Sequence, residues 1–317
     1  MSGLLTASRR LAGALGTLLG ASVLLFAGSQ VLPGDAASSS LGASATPEEV
    51  ARMRAEYGLD RPLAGQYVDW MKGVLHGDFG HSLYDRKPVL DAVVTPFLDT
   101  ALLVGITAVL TVLLATGLGV VTGLRPGTRL DRLLSGAAVA LVSVPQFVLA
   151  VLLVLVLGTG LELLPAVSLV PFGGTPLDRP VILVLPVLSL TLFAASWAGR
   201  IVRAAVVDAD AAPHVEAARL AGLPERVVIR RHLLPSTVAP CAQTFAWLVA
   251  ALFGGTAVVE RVFSYPGLSE TLVGAVRHHD TPVLEGVGML LATVTVTCLL
   301  VADGLAVLAT PRLRSAS

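Results

Sequence analysis

Pro213 to Pro235 reads PHVEAARLAGLPERVVIRRHLLP, a charged, helix-competent stretch between strongly apolar ones. Pro213 suits the first position of a helix, where its missing N–H costs nothing. Glu216 then meets the positive end of the helix dipole. Ala217, Ala218, Leu220 and Ala221 combine high helix propensity with compact side chains. Gly222 is suited to the left-handed conformation that ends a helix. Pro224 opens a second helix, with Glu225 in its first turn, running toward Leu234 and Pro235. The stretch predicts a short helix, a sharp turn and another helix, exposed at a membrane surface.

The membrane itself is read from composition. Of 317 residues, 54% are hydrophobic and 14% charged, with a mean hydropathy of +0.79. Soluble domains carry about a quarter charged residues. With 22 basic and 22 acidic residues the formal net charge is 0, so the basic excess of a nucleic-acid binder is missing. Cys241 and Cys298 lie in apolar runs without a CxxC partner, which supports neither a disulfide framework nor a thiolate metal site. They read as small buried hydrophobes.

Six apolar runs are long enough to span a hydrocarbon core, which needs about 20 residues. They are Leu11–Leu32, Thr100–Leu124, Leu133–Leu161, Val181–Gly199, Leu233–Val259 and Gly286–Thr310, the last interrupted by Asp303. The expected class is an all-α polytopic membrane protein. Spans are placed at 11–32, 98–124, 133–161, 181–204, 236–260 and 283–309, within one transmembrane domain of about 95–310. Between them lie an N-terminus of 1–10, loops at 125–132, 162–180, 205–235 and 261–282, and a C-terminus of 310–317. Residues 33–97 form an external segment. Arg9-Arg10 ahead of the first run also fit a signal peptide, but the run exceeds a normal signal core and no clean A-x-A site follows.

Lys and Arg in short loops set orientation. One side carries Arg9, Arg10, Arg125, Arg129, Arg132, Arg200, Arg203, Arg219, Arg226, Arg230, Arg231, Arg312 and Arg314; the opposite short loops offer Arg179, Arg261 and Arg277. Both termini and Pro213–Pro235 are therefore expected to be cytoplasmic. In the external segment, Thr46-Pro47-Glu48-Glu49 has capping-box spacing and predicts a helix to Tyr57, stopping at Gly58. Tyr67, Trp70, Met71, Val74 and Leu75 share a helical face, and the two aromatics are types that favour the bilayer interface.

Candidate chemistry is sparse. Lys72 and Lys87, the only lysines, precede Gly73 and Pro88, so no phosphate-binding Gly-Lys-Ser/Thr loop exists. Ser143, Ser189 and Ser196 are intramembrane without a GxSxG or HExxH motif, and read as packing or backbone-bonding residues. His278-His279-Asp280 reads as a solvated loop, because adjacent side chains seldom converge on one ion; no metal site is expected. Asp303 is costly inside a span and reads as structural. Pro145-Gln146 and Pro186 are helix breakers at membrane depth, tolerated where protein or a water-filled cavity takes the freed carbonyls.

Glu216-Ala217-Ala218, Gly222, Leu234 and Pro235 resemble the cytoplasmic EAA loop of ABC importer permeases, with His232 standing where that pattern has an apolar residue. The wider chain resembles the dipeptide, oligopeptide and nickel permeases. The resemblance extends through Leu32-Pro33-Gly34-Asp35, Tyr57–Leu63, Gly77–Ser82, Val259–Leu268 (with Glu260, Pro266 and Gly267), Asp303 and Thr310-Pro311-Arg312. This implies a type I importer permease fold in a bacterial plasma (inner) membrane. It also implies a heteromeric complex: a second, homologous permease, two ATPase subunits that bind ATP and Mg, and an external solute-binding protein. Glu216, Ala217, Ala218, Arg219, Gly222, Leu234 and Pro235 become the ATPase-coupling residues, with Glu216 and Arg219 forming rim ion pairs. This chain would hold no cofactor, carry no catalytic residue and perform no covalent chemistry. The substrate would be a peptide or, alternatively, a nickel chelate. Two rivals from other classes are weaker. An ion-coupled secondary transporter needs carboxylates in several spans, and an intramembrane enzyme needs a catalytic constellation.

Overall fold

The computed structural model describes residues 2–31, 46–171 and 173–309. They are helical, with one isolated bridge between His81 and Pro88 and no strand. The helices are α1 (Ser2–Val31), α2 (Pro47–Glu56), α3 (Leu63–Leu75), α4 (Val89–Gly123), α5 (Arg129–Ser143) and α6 (Gln146–Leu153), which continues as a π-helical stretch, Val154–Gly160. There follow α7 (Val181–Asp210), α8 (Pro213–Leu220), α9 (Glu225–Val228), a π-helical turn Ile229–Leu233, α10 (Leu234–Phe263), α11 (Leu268–Arg277) and α12 (Thr281–Ala309). The motifs Leu32–Asp35 and Thr310–Arg312 lie outside the described residues.

Among the described residues, five helical stretches are long and apolar enough to cross a membrane: Ser8–Val31, Val89–Gly123, Val181–Asp210, Glu225–Phe263 and Thr281–Gly304. The pair α5 and α6 makes a sixth crossing if it is one span, but it is bent by 101°. The run 133–161, expected to be one span with a helix breaker at Pro145-Gln146, is thus bent sharply at that breaker. Proline disfavours helical dihedrals in the residue before it, and Val144 ahead of Pro145 is extended at φ −87 and ψ 127. Helix ends also differ from hydropathy ends. Helix α4 starts at Val89 rather than at 98, and α7 continues to Asp210 rather than 204. A hydropathy run stops where charges appear, whereas a helix stops where its hydrogen bonds do.

The chain divides into two compact units, one comprising residues 1–9, 102–265 and 297–317, the other residues 10–101 and 266–296. In the first, α7 is the central element, burying Leu185, Leu190, Val202 and Val206 against neighbouring helices. Gly119 and Gly123 of α4 allow the closest approach: a Cβ at Gly119 would lie 2.6 Å from Val202 Cβ. This is the small-residue spacing by which membrane helices pack backbone to backbone. Asp131 of α5, almost wholly buried, accepts from Arg203 Nε and Nη2 of α7 at 2.7 and 2.8 Å, from Gly127 N at 2.9 Å and from Ser135 Oγ at 3.0 Å.

Pro186 does not break α7. Lacking an N–H, it cannot bond the Ile182 carbonyl one turn earlier. That carbonyl instead accepts from buried Ser168 Oγ at 2.7 Å, while Ser168 N donates to Phe263 O at 2.6 Å. Ser189 and Ser143 bond backbone carbonyls of their own helices, Pro186 O and Val139 O, each at 2.8 Å.

In the second unit, the Thr46–Glu49 capping box starts α2, Tyr57 caps its end, and Gly58 follows at φ +67. Tyr67 and Trp70 have ring partners inside the unit: both pack on Phe26, with centroids 5.4 and 6.0 Å away. The His278–Asp280 loop is not simply solvated. Asp280 is buried and accepts from Ser82 Oγ at 2.5 Å and Leu83 N at 3.1 Å, and His278 stacks on Tyr84 at 3.8 Å. The carboxylate pins a loop, which sequence adjacency to two histidines disguised.

Candidate functional site

The segment after α7 is built from small, local devices. Ala212 is extended, Pro213 opens α8, and Glu216 lies in its first turn. Val215 and Ala218 are buried in a cluster with Val202, Val206, Val228, Leu233 and Cys241. They seat α8 on its own subunit, so Ala218 belongs to the inner face of the helix. The outer face shows Glu216, Ala217 and Ala221, together with Leu220, which is 82% exposed.

The C-terminus of α8 is a Schellman turn. Gly222 stands at φ +77; its N–H donates to Arg219 O at 2.9 Å, and Leu223 N donates to Ala218 O at 3.3 Å. These bonds occupy carbonyls that a helix end leaves open, and only glycine takes that φ without strain.

Arg219 is engaged within the chain and does not stand as a free rim charge. Its guanidinium donates to Glu225 at 2.8 and 3.2 Å and to Asp210 at 2.5 Å. One side chain thus ties α8 to the end of α7 and the start of α9. Its bonds to Glu225, then Asp210, hold Arg219 protonated above even the ordinary guanidinium range.

After Pro224 the chain does not pause at Pro235. Helix α9 widens into the π-helical turn and runs on as α10, with Leu234 N donating to Ile229 O. Pro235 has no N–H for the carbonyl of Arg231, and a widened turn accommodates that gap. His232 lies in this turn, its carbonyl 3.3 Å from His214 Nε2. Leu234 is half-buried and Pro235 exposed.

The remaining sequence candidates lie elsewhere. Glu260 is buried near the end of α10, and its carbonyl accepts from Tyr265 N at 2.8 Å. Asp303 is half-buried beside a cavity of about 540 Å³ that Trp197 and Trp247 also line. In the other unit, Gly267 precedes α11, whose first residue, Leu268, donates its N–H to Thr100 Oγ1 at 3.0 Å, and Pro266 leads into that turn. Sequence reading missed Leu220 as an exposed apolar position and Asp210 and Glu225 as partners of Arg219. Among the described residues, no group of three His, Cys, Asp or Glu side chains is placed to hold a metal.

Residues 115–315 match the family model described as the binding-protein-dependent transport system inner membrane component, and residues 4–103 match its N-terminal companion. The chain belongs to this family of ABC importer permeases. A putative peptide transport system permease protein of Brucella abortus (strain 2308) is 31% identical over 306 residues, covering 96% of this chain and 98% of that one. A glutathione transport system permease protein of Escherichia coli (strain K12) is 32% identical over 306 residues, covering 96% and 97%. Among solved structures, the MetNI methionine ABC transporter in an inward-facing conformation shares the fold, with a TM-score of 0.57 at 19% identity over 70% of this chain and 97% of that one. An amino acid ABC transporter aligns with a TM-score of 0.54 at 14% identity, covering 68% of this permease and 93% of its chain. The permease is a multi-pass membrane protein and a transport subunit.

Proposed function

We propose that this permease forms half of a pore for peptides and converts the motion of an ATPase into alternating access. Its partners would be a second, homologous permease, two cytoplasmic ATPase subunits and an external solute-binding protein. ATP and Mg would be bound by the ATPases and not by this chain. Both termini and α8 would face the cytoplasm. The peptide permeases among its relatives support the substrate class.

One observation carries the coupling role: Arg219 bonds Asp210 and Glu225 together, so α8 is fastened to the helices on both sides of it. Leu220, Ala217 and Ala221 present a low apolar surface for a cleft, with Glu216 at its edge. Displacement of α8 would reach α7 and α10 as a rigid movement. In this reading Gly222, Leu234 and Pro235 shape the joint, and Glu260, Pro266, Gly267 and Asp303 are structural.

The test is Gly222→Pro in the reconstituted complex. Proline cannot adopt φ +77 and removes the N–H that bonds Arg219 O. The variant should insert and leave ATP hydrolysis running while dipeptide uptake falls at least roughly tenfold, a loss of about 1.4 kcal/mol in coupling. Uptake unchanged from wild type would overturn the assignment.

A further inference from the structure

Within the unit made of residues 10–101 and 266–296 lies a cavity of about 380 Å³. Its size falls in the range of small-molecule sites, about 300–1,000 Å³. Glu285 of α12 lines it and is 4% exposed. Among the described residues, its one hydrogen bond comes from Ser29 Oγ to Oε1 at 2.6 Å, which leaves Oε2 without a donor. A buried carboxyl group of this kind is held as a charged carboxylate only where a cation matches it.

Among the described residues, no cation does so. None of the basic side chains on the cavity wall, Arg54, Arg61 and His279, bonds Glu285; Arg61 pairs with Asp69 at 2.7 Å and Arg54 with Asp60 at 3.1 Å. Residues 32–45, which follow Ser29 closely in sequence, contain no Lys, Arg or His. Phe26 and Trp70, neighbours in the ring cluster, contribute aromatic surface to the same wall, and aromatic faces attract organic cations.

The chemistry narrows the class of cation. Calcium or magnesium wants six or more oxygens and zinc three or four protein ligands, and among the described residues no group of three His, Cys, Asp or Glu is placed to supply them. A guanidinium prefers both oxygens of a carboxylate in a fork, and Oε1 keeps a lone pair beside its bond from Ser29. An ammonium group takes Oε2 as its strong acceptor and gains from the aromatic flank, so the site suits an organic cation of either kind. We propose that this cavity binds a primary ammonium group through Glu285, and that the group it takes is the amino terminus of a small peptide. The choice of a peptide's ammonium group rests on the function proposed above; the preference for an organic cation does not.

The experiment is calorimetric titration of the full chain in lipid nanodiscs with Ala-Ala and with N-acetyl-Ala-Ala. The free dipeptide should bind at least tenfold more tightly than the acetylated one. Glu285→Gln keeps an acceptor for Ser29 and should lose at least tenfold in Ala-Ala affinity. Equal binding of the two peptides, or unchanged Ala-Ala affinity in Glu285→Gln, would overturn the proposal. Should that variant fail to insert, ethylammonium competing against Ala-Ala on the wild-type chain decides the question, and absence of competition overturns it. Uptake of dipeptides by the complete transporter without amine-dependent binding here would sink this inference alone. Amine-dependent binding without uptake would leave the site standing and remove the transport reading instead.

Discussion

The segment Pro213–Pro235 and the central helix α7 both interrupt helical hydrogen bonding, and they repair it by different means. At the end of α8 the repair is local: Gly222 and Leu223 return their N–H groups to Arg219 and Ala218, three and five residues back. In α7 it is distant: the Ile182 carbonyl, orphaned by Pro186, receives the hydroxyl of Ser168, 14 residues away in a loop. The exposed segment has water as a fallback and so tolerates a modest turn. The buried helix has none, and an unmet carbonyl there costs free energy. Pro145 marks the third outcome: it is exposed, and the chain ahead of it goes extended and bends by 101°.

The contrast breaks most visibly at Asp131, the other distant contact that holds α7. Asp131→Ala would strip Arg203 of both its bonds at 2.7 and 2.8 Å, and a half-removed ion pair is worse than none. It should give the largest drop in unfolding temperature of these variants, read by thermal unfolding in detergent. An unchanged midpoint would mean that α7 does not depend on distant contacts.

Ser168→Ala comes next, at roughly 1–3 kcal/mol for a buried acceptor left unpaired. Adding Pro186→Ala should return part of that loss, because the new alanine supplies the missing N–H from within the helix. If the double variant is no more stable than Ser168→Ala alone, the distant-repair account fails.

Gly222→Ala should be the mildest, at about 1 kcal/mol for placing a Cβ at positive φ. A Cβ there meets nothing within 4 Å, so the cost is one of backbone conformation alone. Faster amide exchange at positions 222 and 223, with the global midpoint lowered by at most about 4 °C, is the expected signature. A larger global loss would show that the turn carries more of the core's stability than its backbone conformation accounts for.

Legibility followed the range of the interaction. The capping box at Thr46, the proline start of α8 and the glycine stop at Gly222 depend on neighbours within five residues, and their spacing announces them. Arg219 read as a charge available to another protein, because nothing in its spacing says that Asp210 and Glu225 will converge on it. Asp280 read as part of a solvated loop for the same reason; its donors, Ser82 and Leu83, come from nearly 200 residues away. Glu285 drew no notice at all, being one acidic residue at the edge of an apolar run.

By itself the sequence determined the all-helical membrane class, the apolar runs, the family resemblance and the turn at Gly222. Each of these is set by side-chain hydrophobicity summed over about 20 residues or by dihedral limits within a single turn. Tertiary structure alone decided that Pro186 leaves a helix intact while Pro145 bends one, that Arg219 pairs with Asp210 and Glu225, and that Glu285 lies buried with no cation bonded to it among the described residues. A freed carbonyl, a guanidinium and a carboxylate are chemically the same wherever they occur; what differs is which partner the fold brings within about 3 Å, and whether water reaches the group first.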